Sequence, residues 1–137
     1  MDLGSINMDY KFNRAWAEVN LDNIAHNVRE VRRITNKHAE VMAVVKADAY
    51  GHGALQTAKT LLENGATSLA VSMLDEAIQL RQNGIDAPIL VLSYTDPVRA
   101  EEIIRNDVTQ TVFSHDLAEA LSNAAVRLGR NVKVHVK

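Results

Sequence analysis

The segment Val44-Val45-Lys46-Ala47-Asp48-Ala49-Tyr50-Gly51-His52-Gly53 gathers the groups best able to do chemistry in this chain. Lys46 ends a compact apolar run, 41–46, that has the length and valine content of a buried strand. A lysine at that place is partly desolvated, and desolvation disfavours the ammonium and lowers its pKa. A neutral amine attacks an aldehyde and forms an imine. The plainer reading is a strand-end charge that reaches into solvent. Tyr50 offers a hydroxyl four residues further on, which a phosphate oxygen would satisfy if the ring is buried. Gly51 and Gly53 bracket His52 and allow the backbone to approach a ligand closely. Asp48 and His52 have i, i+4 spacing, but the flanking glycines argue against a helical metal pair, and His52 alone suits a loop-ordering hydrogen bond. The sequence contains no cysteine, which excludes a thiol nucleophile, thiolate metal ligands and disulfides.

These groups need elements to hold them. Alternation over 15–21 predicts a short strand. Asp22 then caps a helix to about His38, with Leu21, Ile24, Val28, Val31 and Ile34 at helical spacing. Strands are predicted at 41–46, 68–71, 89–92, 109–113 and 132–136. Helices are predicted between them at 54–63, 75–82, 97–105 and from Ser114 to Gly129. Residues 1–13 read as a loose tail. Trp16 reads as a packing residue. Strand and helix alternating through short connections implies an α/β fold with a parallel sheet covered by helices, either doubly wound or closed as a barrel. The repeat of roughly 20 to 25 residues fits a βα barrel, and no G-x-G-x-x-G follows any strand.

The chain has 137 residues, with 15 Lys plus Arg against 17 Asp plus Glu and a formal net charge of −2. That near-balance gives no reason to expect a nucleic-acid or membrane partner. Apolar residues make up 47% and charged residues 23%, which is the composition of a soluble globular domain rather than of a disordered or fibrous chain. The first residues lack the basic-then-apolar pattern of a secretory signal, so a cytoplasmic location is expected. A βα barrel needs eight strands and about 250 residues. The predicted strands from Val41 onward supply about five of the eight. The expectation is therefore the N-terminal part of a TIM-type barrel over 14–137, with the remaining strands lying beyond Lys137.

The stretch Val44 to Gly53 resembles, without departure, the pyridoxal-phosphate attachment signature of alanine racemases. The resemblance extends on both sides: Arg14 to Asp22, Leu69-Ala70-Val71-Ser72 with Asp75-Glu76-Ala77, Leu80-Arg81-x-x-Gly84-Ile85, Ala87 to Leu92, and Val134-His135-Val136-Lys137. It implies a (β/α)8 barrel that binds pyridoxal 5′-phosphate and interconverts L- and D-alanine. Lys46 would carry the cofactor as an imine and act as one of two bases. Tyr50 would sit by the cofactor phosphate, Leu92 would line the pocket near the ring, and Lys137 matches a lysine often carboxylated in the family. The family's second base comes from the partner subunit, so the resemblance also implies a homodimer. The Arg that faces the pyridine nitrogen follows the fifth strand and lies beyond Lys137.

The alternative is a single-barrel pyridoxal-phosphate homeostasis protein without racemase activity. The strand expected at 15–21 and the segment Tyr50-Gly51-His52-Gly53 argue against it. His26, His38 and His115 are assigned no role.

Overall fold

The computed structural model describes residues 14–137; the predicted tail 1–13 lies outside them. Asn20 opens the first helix, α1 (Leu21–Ile34), by accepting the backbone N–H of Asn23 at 3.1 Å. The helix thus starts one residue before the predicted cap, Asp22, and ends earlier than His38. The strand predicted at 15–21 is not formed, because Leu21 is already helical and 15–20 pair with no other strand. Trp16 is 68% exposed and does not pack as expected.

The remaining elements follow the predicted alternation with trimmed ends. They are β1 (Met42–Val44), a short helical segment α2 (Lys46–Gly51), α3 (Ala54–Glu63), β2 (Ser68–Val71) and α4 (Leu74–Gln82). There follow β3 (Ile89–Val91), a 3₁₀ turn (Pro97–Arg99), α5 (Ala100–Arg105), β4 (Thr109–Val112), α6 (His115–Leu128) and β5 (Val134–Val136). Gly129 ends α6 in the left-handed conformation, with φ of 60°.

The five strands are all parallel and lie in the order β1-β2-β3-β4-β5. A doubly wound sheet reverses its strand order at a switch point and carries helices on both faces. The order here does not reverse. Register sets Ala43, Leu69, Ile89 and, two residues on, Val71 with Val91 on one face, and these meet Leu74, Ala77, Leu80, Ile103 and Ile104 in a continuous core. Each such large side chain withdrawn from water contributes about 1.5–3 kcal/mol. The opposite face carries Met42 and Val44, 46% and 41% exposed, beside the buried Ser68, Ala70 and Leu90. A monotonic order of parallel strands joined by helices describes the arc of a (β/α)8 TIM-type barrel.

At the amino end of the strands, Arg81 fastens two helix-to-strand loops. Its Nη1 donates to Ile85 O at 2.5 Å and Ala87 O at 2.7 Å, Nε to Asn106 O at 2.9 Å and Nη2 to Asp107 O at 3.0 Å. At the other end Arg99 links Asp75 of α4 with Glu102 of α5, at 2.6 and 2.8 Å. Hydrogen bonding to that guanidinium holds both carboxyls below the usual carboxylate range.

Candidate active site at the carboxyl ends of the strands

The last sheet bond of the first strand is Val45 N to Ala70 O, at 2.8 Å. Val45 is buried, and there the chain leaves the sheet, so Lys46 follows the strand rather than ending it as predicted. Lys46 is half-buried. The next four residues, Ala47, Asp48, Ala49 and Tyr50, all have φ between 50° and 57° and ψ between 34° and 52°. This is a complete left-handed turn built from L-residues. Each such residue costs roughly 1–2 kcal/mol, and left-handed residues normally occur singly. Strain of this kind persists only where the surroundings over-determine it, and it concentrates at working sites.

The turn is held from several directions. Ala49 N donates to Val45 O at 3.0 Å, and Gly53 N donates to Asp48 O at 3.0 Å. Asp48 Oδ1 accepts Ala54 N at 2.6 Å and so caps α3, whose own cap position is Gly53 and has no side chain to offer. His52 Nδ1 lies 2.8 Å from Ala49 O, which is the loop-ordering role expected of it. Asp48 and His52 thus each engage a separate backbone group. Gly51 and Gly53, at φ of 86° and 85°, have open space around them, so backbone conformation rather than crowding favours glycine there.

Glu76 supplies the tie to the neighbouring unit. Its Oε1 accepts Ala47 N at 2.7 Å, while Oε2 accepts Ser72 N at 2.8 Å and Met73 N at 2.9 Å. The seam continues sideways. The hydroxyls of Ser72 and Ser93 lie 3.0 Å apart, Gln110 Nε2 donates to Ser93 O at 2.9 Å, and Thr95 Oγ1 donates to Gln110 Oε1 at 2.8 Å. Side-chain hydrogen bonds therefore link the ends of the first four strands beneath the barrel mouth.

The predicted site residues occupy one end of the sheet. Lys46 follows β1. Leu92 follows β3, its N–H bonded to Val71 O at 2.9 Å. Lys137 follows β5, its N–H bonded to Val112 O at 3.0 Å. Tyr50 closes the left-handed turn and is 61% exposed, not buried. Lys46 and Lys137 stand at the two opposite edges of the arc. Sequence reasoning did not single out Glu76 or Gln110. Glu76 stands at the third position of α4, where a capping-box carboxylate belongs, but Met73 at the cap position hides the pattern.

A lysine amine, a strained turn and a barrel mouth together narrow the comparison with known proteins. Residues 19–137 match the family described as alanine racemase, N-terminal domain. The chain belongs to the alanine racemase family. An alanine racemase of Clostridium perfringens is 50% identical over 129 residues, which cover 94% of this chain and 33% of that protein. One of Clostridium novyi is 47% identical over 121 residues, covering 88% of this chain and 31% of that protein. Among solved structures, the alanine racemase of Clostridium difficile 630 superposes with a TM-score of 0.84 at 42% identity, covering 88% of this chain and 32% of that one. The chain thus spans about a third of the length of the alanine racemases it matches. No helix among the described residues is long and apolar enough to cross a membrane.

Proposed function

We propose that residues 14–137 form the N-terminal part of the cofactor-holding barrel of a pyridoxal-phosphate-dependent racemase. It interconverts L- and D-alanine in the cytoplasm and supplies D-alanine for peptidoglycan. The observation that carries this reading is Lys46, set at the barrel mouth directly before a strained left-handed turn and inside a family match over residues 19–137. The donor set fits the cofactor: a primary amine for its aldehyde, the exposed Tyr50 hydroxyl for its phosphate, and Leu92, 38% exposed, as an apolar wall.

Pyridoxal phosphate, when bound, supplies an electron sink that makes the substrate α-proton labile. The protein supplies position and proton transfer. Lys46 Nζ would hold the cofactor and would take the α-proton or return it on one face. The Tyr50 hydroxyl would meet the phosphate. Racemisation requires a second base on the opposite face, because one base returns the proton to the side from which it came. This reading assigns that base to a partner subunit of a homodimer. Lys137, on the face shared with Lys133 and His135, carries a carboxylated amine that holds an arginine of a later segment.

The test uses the full enzyme. Wild-type protein absorbs in the near-ultraviolet to violet when loaded with cofactor, and Lys46→Ala loses both that band and racemisation. Colourless wild-type protein in the presence of added cofactor would refute the reading.

A further inference from the structure

We infer that Glu76 is a positioning residue for Lys46, setting the amine by fixing the first amide of the left-handed turn. This rests on the role proposed above for Lys46. A carboxylate at the third position of a helix ordinarily caps that helix alone, and the bonds from Ser72 N and Met73 N do that here. The bond from Ala47 N, at 2.7 Å, serves no such purpose. It reaches 29 residues back in the chain, to the peptide immediately after Lys46.

The turn needs an outside constraint. Ala47 is the first of four consecutive left-handed residues, so its amide is where the chain reverses hand on leaving the strand. The other side chains that bond to this segment's backbone, Asp48, His52 and Thr57, belong to the segment itself or to the helix that follows it. Among the described residues, Glu76 makes the only side-chain hydrogen bond from the adjacent βα unit to the turn, beside the packing of Ala49 into the core. The carboxylate is half-buried, and a charged acceptor gives shorter and stronger bonds than a neutral one. Ser72, another of its donors, continues through Ser93 to Gln110, so the anchor of Lys46 is fastened to three further strands.

Glu76→Ala removes both acceptor oxygens and leaves the Ala47 N–H without that partner. In the full enzyme, kcat should fall about 100-fold, the cost of misplacing a reacting group by about 1 Å. The KM for alanine should change less than 3-fold on the order of magnitude of that argument. The cofactor dissociation constant, read from the violet absorbance, should rise about 10-fold. A second variant separates this role from helix capping. In Met73→Asp combined with Glu76→Ala, the new aspartate recaps α4 but cannot reach Ala47. Low kcat in the double variant supports the positioning role, and this comparison also serves if the single variant does not fold. Wild-type kcat and cofactor affinity in the double variant would reduce Glu76 to a helix cap and overturn the proposal. Lys46→Ala is run alongside. If it keeps the absorbance band, the failure lies in the reading of Lys46; if it loses the band while the double variant matches wild type, the failure lies with Glu76.

Discussion

At the scale of single residues, Lys46 and Tyr50 sit at the two ends of one left-handed turn, but they make different demands on it. In the role proposed for it, Lys46 must be held, because proton transfer tolerates little misplacement. Tyr50 is exposed and contributes a single hydroxyl. Removing that hydroxyl should weaken cofactor binding without disturbing the fold. A hydrogen bond to a charged group is worth about 1.5–3 kcal/mol, so Tyr50→Phe should raise the cofactor dissociation constant about 10- to 100-fold. Absorbance titration of the full enzyme checks this, and an unchanged affinity would remove Tyr50 from the phosphate site. The melting temperature of the cofactor-free variant should match that of wild type.

At the scale of elements, the two ends of the strands do different work. The carboxyl ends carry Lys46, Leu92 and Lys137 together with the polar seam of Glu76, Ser72, Ser93 and Gln110. The amino ends carry Arg81, whose fork closes the loops before β3 and β4. In a βα barrel the amino-terminal face stabilises and the carboxyl-terminal face reacts. Arg81→Ala frees four backbone carbonyls at once and should destabilise the enzyme by on the order of 3 kcal/mol, measured by denaturant unfolding. Arg81→Lys should recover little of that loss, since an ammonium cannot span the planar fork. Cofactor absorbance per folded molecule should stay at the wild-type level in both. A selective loss of absorbance would show that the two ends are coupled.

At the scale of the whole molecule, the arc explains an exposure that composition does not reveal. Met42, Val44, Leu92 and Phe113 stay between 38% and 54% exposed. Val134 and Val136 on β5, together with Val126 of α6, line an open groove of about 720 Å³ along that edge. Among the described residues, the outer edges of β1 and β5 have no partner strand and add bare backbone donors and acceptors. A polypeptide of residues 14–137 alone should therefore self-associate, whereas the full enzyme should run as a defined dimer. Sedimentation of both decides the matter. A monodisperse, cooperatively melting fragment would show that the arc is stable unaided.

Much of this was legible in the residues themselves. Apolar runs of four or five residues alternating with amphipathic stretches determined a parallel α/β sheet, because each period fits only one backbone geometry. The uninterrupted stretch from Val44 to Gly53 singled out Lys46 and carried the resemblance to alanine racemases. The strand expected at 15–21 failed because local alternation cannot supply a partner strand, and Asn20 captured the helix start instead. Its loss leaves Tyr50-Gly51-His52-Gly53 and the family match to separate the racemase from the single-barrel alternative. Only the tertiary structure decided that four L-residues after Lys46 are left-handed, and that Glu76, 29 residues on, receives the first of their amides. A local sequence pattern reports the intrinsic preference of a segment. It cannot report a conformation that runs against that preference and is held by contacts from a distant part of the chain.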